Sequence, residues 1–366
     1  MADYSLMLYG NVLQDPSLRD NITQEAQGWG RTIRFQGGYW DGDFTIRGKP
    51  GYLNDFFYSQ LGNHIEETFG GLKTWEGLLY SIEHDSYRRN PFLRVQACGY
   101  VLTCNWRFVS ADDDADGNVS DWIDDIVATD CPYIASRSIA ANTLQARRST
   151  GIKQRAWDEI LKNTLLGDAN NNPWRFFVTN GRRAVYEQVN TGPQYYTRGG
   201  LVRRRSFDGM YNSVAGQYIA PGATTTSDLS GTVNSYSVTR YGRREEELLE
   251  YEVSATAMAA MRNAYLKEHA WPWARVVGSS PGGAQVYDST GTGAKALSPW
   301  TVKPGVYRDL TYPHGRGETG SIFSDALDFI VDEVSVRVGA DGPVLSLRTS
   351  EYDESDILEA QIENYG

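Results

Sequence analysis

The chain has 366 residues, a formal net charge of −11, 40% hydrophobic residues and 22% charged residues. That balance describes a globular chain of roughly two to three domains, and its negative charge opposes binding to phosphate backbones. No stretch approaches the about 20 apolar residues of a membrane span, and residues 1–10 lack the basic-then-apolar order of a secretory signal.

Aromatics make up 12% of the chain and glycines number 37, a composition that favours strands joined by turns. Leu6, Leu8 and Tyr9 open the first strand. Residues 31–35 alternate in the half-buried pattern, Gly37-Gly38 turns the chain, and 39–46 form a second run. A helix is predicted over 54–61, with strands over 73–82 and 94–106. An acidic linker follows at 112–117. Ser120 then reads as the N-cap of a helix whose Trp122, Ile123, Ile126 and Val127 share one face.

A second helix is predicted over 152–166, with Ile152, Ala156, Trp157, Ile160 and Leu161 as its stripe and Gly167 at its end. Asn180-Gly181 between 175–178 and 182–186 is a hairpin signal, and Trp157 should be buried between that ribbon and the helix. Strands are predicted over 202–207, 211–219 and 233–241, with a loop at 221–231. Ser254 caps a helix over 255–268, and a second loop covers 278–298. The final strands are 302–307, 329–338 and 344–349.

Four stretches, in this order, carry a family resemblance. They are the glycine pair and "TW-G" strand at 70–83, the helix and strand at 120–142, the "AW--I" helix at 150–160 with its ribbon, and the pair 211–214 and 237–245 followed by an Ala-rich helix. Lys303-Pro304-Gly305 and residues 329–334 extend the match. The chain resembles the hub and tail-tip proteins of tailed-phage baseplates. That resemblance implies a virion tail protein assembled in the host cytoplasm, forming a homo-oligomeric ring, a trimer by preference. It also implies tube, distal-tail, spike or fibre proteins as neighbours, and a genome that passes through the lumen without sequence-specific binding. The long 278–298 loop and Arg203-Arg204-Arg205 depart from the pattern.

Asp112, Asp114, Asp116 and Gly117 match the opening of an EF-hand loop, whose alternating carboxylates wrap Ca²⁺. These three aspartates are the candidate metal ligands. The twelfth position is Ile123 and not Glu, so the ligand set is half complete. The competing reading is a solvated linker that supplies negative charge to the next helix.

His64, Glu66 and Glu67, the run Glu83-His84-Asp85, and the pair Asp41/Asp43 lie close in sequence but match no catalytic motif, and the bland reading is surface charge. Cys98, Cys104 and Cys131 have no CxxC spacing, so they read as reduced thiols. The aromatic runs 39–40, 56–58, 195–196 and 271–273 read as core or interface, and Arg203-Arg204-Arg205 and Arg243-Arg244 as formers of inter-subunit ion pairs.

The resulting expectation is a mainly β (α+β) chain. It has a first tube-like barrel over 1–110, an α/β insertion over 111–192, and a second barrel over 193–366. It is non-enzymatic and uses no cofactor beyond calcium at the acidic loop. The rivals are a hexameric distal-tail or tube-adaptor protein and, from another class, a carbohydrate-binding or carbohydrate-active β protein. Two facing carboxylates in a cleft would favour the last.

Overall fold

The structure, a computed structural model, describes residues 4–85, 92–110, 117–146, 154–170, 172–190, 192–197, 202–206, 210–251, 253–270, 273–277, 285–288, 294–309, 328–339 and 342–349. The chain is mainly β, with large antiparallel sheets and fewer helices.

The N-terminal strands are β1 (Tyr4–Tyr9), β2 (Leu18–Asn21), β3 (Ala26–Arg34), β4 (Gly37–Arg47), β5 (His64–Phe69), β6 (Leu72–Asp85) and β7 (Phe92–Cys98). Their spatial order is β2-β1-β5-β6-β7-β4-β3. The period-2 pattern sets which side chains turn inward: Leu6 and Leu8 on β1, Phe44 and Ile46 on β4, Leu93 and Val95 on β7. The helix α1 (Pro50–Ser59) buries Leu53 and Phe56 on the same core. It starts four residues before the predicted 54–61, because Pro50 serves at its first turn.

The predicted strand 94–106 stops at Cys98 and becomes a 3₁₀ helix, Tyr100–Trp106. Gly99 forces this junction, since a Cβ there would lie 1.7 Å from the Tyr39 carbonyl oxygen.

Beyond it come α2 (Val119–Asp130), β8 (Ser136–Ile139), α3 (Ala156–Thr164), β9 (Trp174–Thr179) and β10 (Arg183–Gln188). Asn118, not Ser120, caps α2 by accepting from the Asp121 amide. Ser120 is turned inward and hydrogen-bonds Asn142 instead. Helix α3 is shorter than the predicted 152–166, and Ile152 lies outside the described residues.

The Asn-Gly hairpin forms as expected, with Arg183 opposite Thr179. It does not stand apart from the first sheet. β9 runs parallel to the start of β4, Gly37 beside Phe177 and Gly38 beside Val178. Only glycine fits at Gly38: its φ is +77°, and a Cβ would lie 2.2 Å from the Val178 carbonyl oxygen.

The last hairpin, Glu333–Gly339 with Gly342–Arg348, pairs with β3 through Val334–Ile33 and Val336–Arg31. The stretch expected as a second barrel therefore gives two strands to the first sheet. Its remaining described strands form sheets of four, two and three. In the three-stranded sheet, Ser227–Val233 is a strand where a loop was expected, and Ser235–Tyr241 is a helix where a strand was expected. Asn234 decides the switch by capping the Ser237 amide. The helix Ala255–His269, capped by Ser254, packs Met258 against Gly216 of that sheet.

Two core clusters result, and neither respects the expected boundaries. One gathers Trp29, Trp75 and the N-terminal strands with Trp300, Tyr307 and the last hairpin. The other joins Leu78, Cys98 and Tyr100 to α2, α3, the ribbon and the helix Ala255–His269.

Candidate functional site

Successive residues of a strand face opposite sides, and β5 uses both sides for charge. Glu67 points into the first core. Its carboxylate accepts from Arg31 Nε at 2.7 Å, from Trp29 Nε1 at 2.5 Å and from Thr74 Oγ1 at 2.6 Å. Arg31 also donates through Nη2 to the Trp300 carbonyl at 2.8 Å. Both charged side chains are fully removed from solvent. The surface-charge reading of Glu67 is thus corrected: a carboxylate with a guanidinium partner and two further donors can be buried.

Glu66 and His64 face the other way, into the seam between the first sheet and the ribbon. His64 Nε2 contacts Glu66 Oε1 at 2.8 Å and Nδ1 contacts the Tyr100 hydroxyl at 2.6 Å. Lys73 Nζ donates to Glu66, and to Glu76 Oε2 at 2.7 Å. Glu76 Oε1 accepts from the Arg182 amide at 2.5 Å. Arg182 is non-glycine with φ +54°, and that hydrogen bond helps hold it there. Burial would raise the Glu66 pKa, but the hydrogen bonds and charge of His64 and Lys73 outweigh it and hold the group at about 2.

The seam was tested for two chemistries. His64, Glu66 and Glu76 bring ligand atoms within 4.8 Å of one another, the closest approach to a metal set among the described residues. The Lys73 ammonium already lies against both carboxylates, where a cation would sit, so the residues do not fit a metal. Glu66 and Glu76 are also facing carboxylates. Glu66 is held ionised and clamped by Lys73, which makes it a poor proton donor for glycoside hydrolysis.

The other sequence candidates are dispersed. Asp112, Asp114 and Asp116 lie outside the described residues. Nearby, Asp121 accepts from Asn118 Nδ2 at 2.7 Å and Asp124 pairs with Arg137. Asp43 pairs with Arg337 of the last hairpin at 2.6 Å, and Glu83 with Arg94 at 3.8 Å. Arg243 pairs with Glu245 at 2.8 Å. The side chains of Arg203, Arg204 and Arg205 lie outside the described residues.

Of the aromatic runs, Tyr39, Trp40, Phe56 and Tyr195 pack internally, whereas Tyr58 is 80% exposed. Sequence reasoning missed Arg31, Lys73, Glu76, Tyr100 and Arg182. For Arg31 a signal existed: it shares strand parity with the core residues Trp29 and Ile33.

No family model matches the sequence, and no curated protein matches it. Solved structures do match, along nearly the whole chain. A tail protein from Neisseria meningitidis MC58 has a TM-score of 0.61 at 12% identity, covering 96% of this chain and 97% of that one. Prophage tail protein gp18 from Listeria monocytogenes EGD-e has 0.56 at 11%, covering 98% of each. The 43 kDa tail protein of prophage MuSo2 from Shewanella oneidensis has 0.56 at 11%, covering 94% and 97%. The chain has the fold of these tail proteins.

Proposed function

We propose that the chain is a structural, non-catalytic subunit of a phage-type tail, a baseplate-hub or tail-tip protein. In this reading it forms a ring of three copies that continues or caps the tail tube. The ring anchors neighbouring tail proteins and lets the genome pass through its lumen. It is assembled in the host cytoplasm and works in the virion.

The observation that carries the reading is the end-to-end likeness to three tail proteins, which spans 94% or more of this chain. The surface is compatible with it. β2 and Gly342–Arg348 end the long sheet, and neither has a ladder partner on its outer side among the described residues. Leu72 and Tyr80 on β6 are 66% and 59% exposed. Free strand edges and exposed apolar side chains are what a subunit interface covers.

The test is electron microscopy of the purified chain with light scattering across a wide concentration range. Rings of three copies are expected. Six copies would move the protein to the distal-tail class, and a monomer at every concentration would overturn the ring.

A further inference from the structure

Two edge strands of opposite charge lie in different sheets. Glu245–Tyr251 ends the three-stranded sheet, running parallel to Ser213–Ile219 with Ser213 beside Glu245 and Ile219 beside Tyr251. Its outer side has no ladder partner among the described residues. It opens with Glu245, Glu246 and Glu247, of which the first and third are exposed, and Leu249 is 42% exposed. Arg243 holds Glu245 at 2.8 Å, but both side chains are more than half exposed, so that pair is weak and exchangeable. The second edge is Val202–Ser206, whose backbone pairs with Trp273–Val277 and with no other described strand. This ribbon includes Arg203, Arg204, Arg205 and Arg275 and no acidic residue, and Arg204 stands opposite Arg275. Like charges at opposed positions destabilise a strand pair, and a two-stranded ribbon is marginal by itself.

We propose that Glu245–Tyr251 of one copy adds antiparallel to Val202–Ser206 of the next copy, so that the three-stranded sheet and the arginine ribbon continue as one sheet across the subunit boundary. The pairing rests on the ring reading and names the surfaces that close the ring. One antiparallel register sets Glu245 against Arg205, Glu246 against Arg204 and Glu247 against Arg203, with Leu248 against Val202. A parallel addition that matched the same charges would set Leu248 against Ser206 instead. Backbone hydrogen bonds between the two edges supply affinity, and the opposed charges fix the register.

The charges also select the occupant. An edge of three glutamates repels its own copy, and the arginine ribbon repels its own, so a twofold pairing of either edge is disfavoured. What remains is the acidic edge on the basic edge, a head-to-tail contact of the kind that closes rings when the rotation permits. Within one chain the two strands lie in separate sheets, so each keeps an edge for a neighbour. A nucleic-acid phosphate would satisfy the arginines but not the glutamates, whereas a second copy satisfies both.

The test uses the full chain and light scattering, with the natural chain as reference. Glu245→Lys, Glu246→Lys and Glu247→Lys together should raise the dissociation constant of the ring by about 100-fold or more, and so should Arg203→Glu, Arg204→Glu and Arg205→Glu together. The chain carrying all six changes should recover assembly, because every pair is then reversed, whereas a variant that merely misfolds would not. Mixing Glu247→Cys chains with Arg203→Cys chains under mild oxidation should give a cross-linked pair, since the native cysteines are all buried. Rings that survive both triple reversals, a folded six-residue variant that stays apart, or intact rings that give no cross-link would each overturn the pairing and leave the ring reading standing. Open chains held by the same cross-link would support the pairing and overturn the closed ring. A natural chain that is monomeric at every concentration would overturn both.

Discussion

Arg31 and Glu67 meet at 2.7 Å in the first core with neither side chain exposed, although they lie 36 residues apart in the chain. Their strands, β3 and β5, are not neighbours in the sheet, so the pair spans its interior. Removing one partner leaves a buried charge without compensation. Arg31→Met should therefore cost about 3–5 kcal/mol in urea unfolding, and Glu67→Leu a similar amount. The double variant should recover part of the loss, because no charge is then stranded. Additive losses would mean that the pair's charges do not sense each other.

Trp157 should act as a joint between the expected units. Its ring lies 6.0 Å from Trp40 of the first sheet and 6.3 Å from Phe176 of the ribbon. Trp157→Ala should cost about 3–5 kcal/mol. Since the second cluster includes Leu78, Cys98 and Tyr100, limited proteolysis should reach beyond 118–190 into the first sheet. Cleavage confined to 118–190 would show that the barrel core holds without the insertion.

The seam predicts an acid-sensitive fold. The Glu66 pKa falls from 4.5 to about 2 on folding, so the folded state favours its ionised form. The stabilisation is full above the unfolded value and is lost as pH falls from about 4.5 towards 2, and solvent screening of this part-exposed carboxylate holds it to about 1–2 kcal/mol. Urea midpoints measured across that window should fall with acidification. Glu66→Gln should flatten that part of the profile, and an unchanged slope would refute the assignment.

The acidic loop carries an independent prediction. The set Asp112, Asp114 and Asp116 lacks the twelfth ligand, since that position is Ile123. Replacing the three by Ala should leave the melting temperature nearly unchanged, with or without millimolar calcium. A calcium-dependent rise in the natural chain, abolished by the triple variant, would establish the calcium site instead.

Local features were legible in the sequence where a short stretch of chain settles them. The alternating strands, the Asn180-Gly181 hairpin, the helix after Ser254 and the burial of Trp157 follow from side-chain periods and cap or turn chemistry, which act over a few residues. The sequence also showed Arg31 at a core parity, but nothing local names its partner.

Only the tertiary structure decided that the last hairpin lies on β3, that β9 lies on β4, and that Glu66 and Glu67 serve two different networks, the first part-buried and the second fully buried. Strand pairing and charge burial depend on which distant surfaces meet. A carboxylate reads as solvent-exposed until its partner arrives, as Arg31 does for Glu67 and Lys73 for Glu66.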